Sequence, residues 1–557
     1  MNPRTTFSIH WSSMAASCAA LALVACGGGS DSPATPSTPS SVTIAGTAAK
    51  GAVLPGATVS VKCTAGTSTA TTAADGKYTV TITGASLPCA LRVVGTDGSV
   101  LHSVVAGTGT TGTFAANITP LTELLMAKAT GMSPGTFFDG FGSSTVLTTA
   151  SLTQAIDYLK IAVAGVADLT GLNPVSDALV AGNALDQKID AVVASFATAG
   201  VTLAQVTAAI VANPAGPTVV SAALAPVASS CAWLKSGKYR MISPAESETK
   251  WRAHVLQFNA AALTVTDQDG VTRTMTSDGN CQFSVDDGED INKLMVSSSG
   301  MLVVHSQSKT VATDRSLTFG LPEQSLPVSE FAGTWNVAAW DPHSGVATPG
   351  YVTESQEVTL DATGQLMAVS ECLGLATCSV GTGPFPRFAA NVTSGGFDMI
   401  ENESNNARVF MFKTLGGRAA FLFLSTDGQF AVASRKQSLG ALPAVGTVSN
   451  FRQVIWNGNG TIGALSEDST TVTAMDTTAK TTTRLLASTN RVDMLTYDKP
   501  RDGLRYREPN SCTINGATNN CSEIVQVPLQ GMGITLTMSV GTNPITAFFQ
   551  ATVVKPN

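Results

Sequence analysis

Short runs of alternating or β-branched residues, separated by turn residues, fill residues 230–557 and favour antiparallel β structure there. The turn signals recur at intervals of about 8–12 residues, as they do in β-sandwiches and barrels. We therefore predict three β units, either separate small barrels or merged into larger ones, at 230–327, 328–440 and 441–557.

A weak internal repeat supports this division. Residues 234–240 (LKSGKYR) align with 331–337 (FAGTWNV). Residues 323–327 (EQSLP), before the second unit, resemble 436–440 (KQSLG), before the third. The three units are therefore predicted to begin at corresponding positions of a repeated β fold.

The second copy contains Gly333-Thr334-Trp335, which resembles the GxW motif of lipocalin and calycin barrels. Gly237-Lys238-Tyr239 is a weaker copy, and the third unit has only Phe451 to Trp456 in the same region. The resemblance implies that the tryptophan plugs the closed end of a barrel. A tryptophan in an ordinary β core is the alternative.

Residues 42–117 predict a small β-sandwich. Its predicted strands, separated by the turns Pro55-Gly56, Asp75-Gly76 and Asp97-Gly98, are 42–44, 57–61, 78–82 and 91–94. The stretches GAV (51–53), GATVSV (56–61) and 71–82 resemble carboxypeptidase-regulatory-like and transthyretin-like modules of bacterial surface proteins. The resemblance implies a stalk, a spacer or a carbohydrate-proximal module, and it does not select one function.

In residues 118–229 the spacing of apolar residues becomes that of α-helices. Thr119-Pro120 is a good N-cap and first-turn pair. Ser151 to Gln154 and Thr202 to Gln205 match the capping-box pattern. We predict helices near 120–130, 152–165, 186–199 and 203–212, with Pro214, Pro217 and Pro226 marking the exit.

The N-terminal residues 1–25 have the layout of a signal peptide, with Arg4 ahead of a short apolar run. That run is shorter than the roughly 20 residues that a spanning helix needs. Leu23-Val24-Ala25-Cys26 resembles the lipobox of bacterial lipoproteins, which implies cleavage before Cys26 and lipidation of that residue. An ordinary secretory signal with a chance cysteine is the alternative.

Residues 26–41 form the predicted lipidated cysteine and a disordered tether. Gly27 to Ser41 has no large apolar side chain, so it cannot bury enough surface to offset ordering. Gly27 stands where many Gram-negative lipoproteins retained in the inner membrane have Asp, which favours the outer membrane. The predicted location is therefore the outer membrane, through a lipid anchor.

Composition argues against two classes of partner. Charged residues make up 13% of the chain, and the net charge is −7. No Lys/Arg cluster appears, so we expect neither nucleic-acid binding nor electrostatic attachment to anionic lipid.

Eight cysteines remain besides Cys18, in the signal peptide, and Cys26. An even number in an oxidising compartment favours disulfides, although eight cysteines allow about a hundred connectivities. The cysteines fall into neighbouring pairs, each inside one proposed domain, and we predict Cys63–Cys89, Cys231–Cys281, Cys372–Cys378 and Cys512–Cys521. Metal binding is the alternative, but CxxC is absent, and we expect no metal site and no cofactor.

Catalytic motifs give no positive signal. The mature chain lacks GxSxG, HExxH and the Walker loop. Residues 107–112 satisfy GxGxxG, but no helix follows at once, so we interpret them as a loop. His102, His254 and His305 lie in predicted strands and His343 in a predicted turn, where structural roles are expected.

Carboxylates leave one catalytic option open. Residues 286–290 (DDGED) predict a solvated turn, with Ca²⁺ binding as the alternative. Residues 267–270 (DQDG) predict a hairpin turn. Glycosidase chemistry needs only two carboxylates at a set separation, which leaves no local signature. Exposed aromatic residues such as Trp340 and Trp456 on one face would favour it.

The fold class that follows is multidomain and mainly β: a β-sandwich module, a short helical segment, then antiparallel barrel or sandwich units. The first functional hypothesis is a non-catalytic surface binding module whose partner is a glycan, a protein or a small apolar ligand. The others are an extracellular carbohydrate-active hydrolase and a lipocalin-like carrier.

Overall fold

The computed structural model describes residues 40–244, 252–343, 350–374, 377–401, 404–426, 428–540 and 546–556. The predicted signal peptide, Cys26 and the tether lie outside these ranges. The described part of the chain is mainly β, as predicted, with several antiparallel sheets and a group of helices.

The N-terminal β module consists of two sheets that enclose one core. One sheet has the order β4-β1-β7, in which β7 runs parallel to β1, and the other has the order β3-β2-β5-β6. Alternate residues of β4 are buried, because side chains in a strand point to opposite faces. The strands are β1 (Ser41–Thr47), β2 (Thr58–Ala65), β3 (Thr67–Thr71), β4 (Lys77–Thr83), β5 (Ser86–Val94), β6 (Val100–Val105) and β7 (Gly112–Ala115). Residues 107–111 lie in the loop between β6 and β7, so the interpretation of this run as a loop is confirmed, except that Gly112 begins β7.

Helices follow the module and share its core. Thr119 caps the first helix with Pro120 as its first residue, and Thr202 with Gln205 forms a capping box, as predicted. The helices are α1 (Pro120–Thr130), α2 (Pro134–Asp139), α3 (Thr149–Ala162), α4 (Ala184–Ala199), α5 (Leu203–Ala212) and α6 (Pro217–Leu224). No single described helix is long and apolar enough to cross a membrane; α4 and α5 reach the criterion only as a pair, bent by 92°.

Two helix predictions are wrong. Ser151 does not cap α3, because Thr148 is extended (φ −89°, ψ 156°) and its side chain accepts the Ser151 N–H. Pro217 does not end the helical segment but begins α6, since its fixed φ and missing N–H suit a first helical turn.

The first β unit is a closed barrel of eight antiparallel strands, β10 to β17, in which β10 also pairs with β17. A small hairpin, β8–β9, precedes it. The strands are β8 (Val227–Ala228), β9 (Cys231–Lys235), β10 (Gly237–Ile242), β11 (Ala253–Asn259), β12 (Thr264–Thr266), β13 (Thr272–Gly279), β14 (Gln282–Asp286), β15 (Asp290–Val296), β16 (Leu302–Ser308) and β17 (Arg315–Pro322).

The second β unit is a nine-stranded sheet that starts after a short 3₁₀ helix, Val328–Phe331. Its order is β21-β20-β19-β18-β26-β25-β24-β23-β22. The strands are β18 (Gly333–His343), β19 (Gly350–Leu360), β20 (Leu366–Gly374), β21 (Thr377–Val380), β22 (Arg387–Ala390), β23 (Phe397–Glu401), β24 (Ser404–Lys413), β25 (Ala419–Ser425) and β26 (Phe430–Arg435). His343 is not in a turn as predicted, because the β18–β19 ladder continues to the pair His343–Gly350.

The third β unit is a ring of eight strands that closes through a pairing of β29 with β30. A hairpin, β32–β33, extends from β30. The strands are β27 (Val448–Asn457), β28 (Ser466–Asp476), β29 (Thr481–Leu486), β30 (Arg491–Tyr497), β31 (Arg505–Arg507), β32 (Cys512–Ile514), β33 (Ala517–Asn519), β34 (Ile524–Leu529), β35 (Ile534–Ser539) and β36 (Phe548–Val554).

One apolar core joins the three β units through their outer faces. The Phe319 and Phe430 rings stack 5.1 Å apart, and the Trp340 and Trp456 rings lie 5.2 Å apart. The large members of this shared core include Ile242, Met295, Val303, Phe319, Trp340, Phe410, Leu422, Phe430, Val454, Trp456, Val527, Leu536 and Phe549.

Candidate functional site

The interior of the first barrel contains a cavity of about 560 Å³. Small-molecule sites commonly have volumes of about 300–1,000 Å³, and the mouths of β-barrels are a frequent place for them. The cavity lies at the end of the barrel that carries the turns 267–271 and 286–290. In the part that the structure describes, this barrel is therefore open at one end.

The opposite end of the barrel is sealed. The Tyr239 and Phe258 rings lie 4.7 Å apart, and the Tyr239 hydroxyl accepts the Lys235 N–H at 3.3 Å. Leu234 of the β8–β9 hairpin packs into the same core, and a disulfide from Cys231 to Cys281 fixes the hairpin to the barrel. Tyr239 thus occupies the position that the weaker GxW copy implied for it.

The same arrangement recurs in the second unit. Gly237 and Gly333 are the first residues of β10 and β18, each with positive φ, 134° and 123°. Trp335 is fully buried, its indole donates to the Phe331 carbonyl at 2.8 Å, and the Arg435 guanidinium covers the ring at 4.5 Å. The two aligned segments therefore hold equivalent structural positions.

The walls of the cavity change from apolar to polar towards the open end. The apolar part is formed by inward-facing residues, namely Met241, Leu256, Phe258, Val265, Val285, Leu294 and Val304. Nearer the mouth, the Ser243 and Thr318 hydroxyls hydrogen-bond at 2.7 Å, and the Ser306 hydroxyl donates to Asn292 at 2.5 Å. The cavity suits a ligand with one apolar and one polar end.

The rim carries an excess of carboxylates. Asp267 is paired with Arg273 at 2.6 Å, whereas Asp287, Glu289 and Asp290 line the cavity together. Burial, and then repulsion from Asp287 and neighbouring carboxylates, raise the pKa of Asp290. Burial also opposes ionisation of Asp267, but hydrogen bonds from Arg273 and two backbone N–H groups outweigh it and lower its pKa. The rim favours a cationic or hydroxylated group.

The acidic run 286–290 is the turn between β14 and β15. Asp287 accepts the backbone N–H groups of Glu289 at 3.1 Å and Asp290 at 2.7 Å, and the Asn292 amide at 2.8 Å. Within the described ranges, no group of three or more His, Cys, Asp or Glu side chains is arranged to hold a metal ion. The run 267–270 likewise forms the β12–β13 turn, as predicted.

The predicted histidines lie in different parts of the molecule. His102 of the β module is buried, and its Nδ1 lies 2.9 Å from Glu123 of α1. His254 lines the barrel cavity. His305 is on the outer face, with Nε2 3.1 Å from the Gly463 carbonyl. The side chain of His343 lies outside the described residues.

Disulfides are present in the N-terminal module and in both closed barrels. Besides Cys231–Cys281, they join Cys63 to Cys89, which face each other on β2 and β5, and Cys512 to Cys521, which bracket the β32–β33 hairpin. Cys372 and Cys378 are register partners on β20 and β21, but their side chains lie outside the described set.

Trp340 and Trp456 are buried, with 0% and 1% of their surfaces exposed. They belong to the shared core between units, so they cannot form an exposed aromatic platform for a saccharide. The sequence reasoning missed Arg273, Asn292 and Thr318, which line the cavity. The available signal was the alternation of inward-facing and outward-facing residues along β13, β15 and β17. Every second residue of a barrel strand faces inward, so this alternation could have indicated which residues line the interior.

Comparisons with known proteins do not assign the chain to a family. No family model and no curated protein matches it. Among solved structures, 58% of the chain aligns with 78% of the isotype 1 transferrin binding protein B from serogroup B Neisseria meningitidis, at 8% identity and a TM-score of 0.19. A protein of unknown function from the DUF3598 family of Nostoc punctiforme aligns over 99% of its length with 42% of this chain, at 11% identity and a TM-score of 0.16. Both TM-scores are too low for either similarity to bear on fold or function.

Proposed function

We propose that this chain is an envelope-anchored, non-catalytic binding module whose first barrel holds a small amphipathic ligand with a cationic end. The observation that carries the proposal is the cavity itself, sealed by Tyr239 at one end and open at the other. Its apolar floor would take the ligand's apolar part.

The charge of the rim selects the other end of the ligand. Arg273 is already paired with Asp267, and Lys309, the cation near Asp290, is paired with Asp286. Asp287, Glu289 and Asp290 line the cavity and form no ion pair with any other described residue. Burial, and then repulsion from neighbouring carboxylates, raise the pKa of Asp290, and a cationic group at the mouth would offset both effects. A wholly apolar ligand would bring no positive charge to these carboxylates.

Titration calorimetry of the full chain with dodecyltrimethylammonium, below its micelle concentration, tests this proposal. We expect saturable binding of one molecule per chain and weaker binding of dodecyl sulfate, which has the same tail and the opposite charge. Glu289→Gln, at an exposed rim position, should reduce the preference for the cation.

A blocking variant connects binding to the cavity. Val304→Trp should fill the lumen and abolish binding, whereas Val271→Trp, at a 48% exposed turn position, should leave it intact. Circular dichroism checks that both variants fold. Unchanged binding to a folded Val304→Trp protein would overturn the proposal, as would equal binding of the two detergents.

The anchor is the second part of the proposal. Disulfides indicate an extracytoplasmic location, because they persist in oxidising compartments. Lipidated Cys26 would hold the chain at the outer membrane, and the β module, which resembles carboxypeptidase-regulatory-like domains, would act as a stalk. Cys26→Ser should release the protein from membrane fractions, and retention of this variant would refute the anchor.

A further inference from the structure

The lumen of the third barrel is charged, in contrast to its apolar outer face. Along β34, β35 and β36 one set of residues enters the shared core, and the alternate set, Gln526, Thr537 and Gln550, is paired in register on the inner face. Arg505 pairs with Gln526 and therefore shares this inner face. The inner face is thus polar at these positions, beside a small apolar cluster of Leu495, Tyr497 and Ile524.

Arginines surround a single fully buried carboxylate, that of Asp493. Arg484 Nε lies 2.7 Å from it, an Arg507 terminal nitrogen 2.9 Å, and an Arg491 terminal nitrogen 3.4 Å. Burial opposes ionisation of Asp493, but attraction from Arg484 and the other arginines outweighs it and lowers the pKa. One carboxylate cannot neutralise three guanidinium groups, so the cluster has a positive excess.

A fourth arginine increases this excess. The Arg505 guanidinium lies 5.0 Å from the centre of the Tyr497 ring, on the same inner face. Buried charge without a counter-charge is costly, because it gives up hydration without compensation. An anion in the lumen would supply that compensation.

Two arginines of this cluster have a buried donor without a partner. Arg507 is 5% exposed, and its terminal nitrogens donate to Asp493 and to the Ser522 carbonyl. The Nε atoms of Arg507 and Arg491 have no hydrogen-bond partner within the described part of the chain. Both residues line a cavity of about 650 Å³ at one mouth of the barrel.

The remaining walls of this mouth have the chemistry of a saccharide site. Five residues with amide side chains line the same cavity, namely Asn457, Asn459, Asn519, Asn520 and Gln550. The Asn457 amide also donates to Thr461, and the Gln550 amide donates to Gln453 and Thr552. Phe548 adds an apolar ring, and the disulfide-bracketed hairpin β32–β33 forms one side. Amides donate to and accept from hydroxyl groups, whereas guanidinium groups pair with carboxylates.

We propose that this mouth of the third barrel is a binding site for an acidic sugar. Arg491 and Arg507 hold its carboxylate, the amides hold its hydroxyls, and Phe548 packs against the ring. This site is separate from the cavity of the first barrel and does not depend on the function proposed for it.

Calorimetric titration of the full chain with D-glucuronate, D-glucose and inorganic sulfate tests the proposal. We expect saturable binding of glucuronate that exceeds the binding of both other probes. Arg491→Gln should weaken glucuronate binding about tenfold or more, in line with the loss of one charged hydrogen bond. Arg387→Gln, at an exposed position of β22, is the matched control and should bind normally.

Contrary results are equally well defined. Equal binding of sulfate would show an anion site that does not recognise sugar, and equal binding of glucose would show that the arginines do not select charge. Either result, or unchanged glucuronate binding by Arg491→Gln, overturns the proposal. Val304→Trp should leave glucuronate binding intact, which separates this site from the first barrel.

Discussion

Lys235 has a charged side chain that is largely buried, and burial disfavours its charge. Its ammonium group donates to the Ala223 carbonyl of α6 at 2.7 Å, at the junction of the helical segment and the first barrel. Burial lowers its pKa to about 8. The folded chain therefore tolerates the charged form less well than the unfolded chain does.

This burial predicts a pH dependence of stability. Because the folded pKa lies below the unfolded value of about 10.5, the unfolded chain binds more protons between the two values. The contribution of Lys235 to stability should therefore rise from pH 8 towards pH 10 and stay constant below pH 8. Denaturant unfolding at pH 7 and 10 gives the change in unfolding free energy with pH for the wild type and for Lys235→Met. The difference between the two changes reports Lys235, because the other ionisable groups are the same in both proteins. Lys77→Met, at an exposed position, is the control; equal pH slopes for wild type and Lys235→Met would contradict the prediction.

At the scale of single elements, the first turn of α3 shows that a capping-box pattern alone does not identify the N-cap residue. Both Thr148 and Ser151 are followed three residues later by a polar side chain, and pattern alone favoured Ser151 because Gln154 completes a capping box. Backbone conformation decides the cap, and Thr148 is the extended residue. Its hydroxyl accepts the Ser151 N–H at 3.1 Å.

The corrected cap gives a direct comparison of two alanine variants. Thr148→Ala should lower the free energy of unfolding by about 1 kcal/mol. The Ser151 N–H has no acceptor within the first turn of the helix, and this substitution removes the Thr148 hydroxyl that accepts it. Ser151→Ala, inside the first turn, should change it by less than about 0.5 kcal/mol. Urea unfolding measures both, and the reverse order would restore Ser151 as the cap.

The hairpin β8–β9 depends on its disulfide to stay over the closed end of the first barrel. Cys231 and Cys281 are separated by 50 residues. Releasing a loop of this length should cost about 4 kcal/mol in the chain-entropy model. Denaturant unfolding of the double Cys231→Ser, Cys281→Ser variant measures this loss, and detergent binding to the same variant reports whether the floor of the cavity survives. A stability unchanged within about 1 kcal/mol would contradict the prediction.

Strands and turns were predictable because their signal is local, whereas pairing was not. The runs 78–82 and 91–94 lie within β4 and β5, and the turns 267–270 and 286–290 lie where the sequence indicates. The closure of the third barrel by β29–β30, and the pairing of β18 with β26 across about a hundred residues of chain, have no local signature. The cavity of the first barrel depends on the pairing of β10 with β17, and the cavity of the third on the pairing of β29 with β30, so neither lining could be assembled from sequence.

At the scale of the whole molecule, the three β units are held together by contacts between their outer walls. Trp340 stacks on Tyr351 at 5.3 Å and contacts Trp456 of the third unit at 5.2 Å. Residues of the first barrel belong to the same core. The three β units should therefore unfold together, although each has its own sheet.

Removing the central indole tests this coupling. Trp340→Ala should destabilise the protein by about 3–5 kcal/mol, because it leaves a cavity where three units meet. Scanning calorimetry should show one transition for the β units in the wild type and a lower midpoint in the variant. Val445→Ala, at a 57% exposed position, is the control. Separate transitions in the wild type would show that the units are energetically independent.

The placement of the shared core on the outer walls has an evolutionary consequence. The inward positions of the first and third barrels contribute little to holding the units to one another, so selection on the assembly constrains them weakly. Homologous chains can therefore exchange an acidic lumen for a basic one, or an apolar floor for a polar one, while keeping the same scaffold. Sequence divergence among relatives should concentrate at the inward-facing positions of the barrel strands. The ligands bound by such relatives should therefore vary more than their fold does.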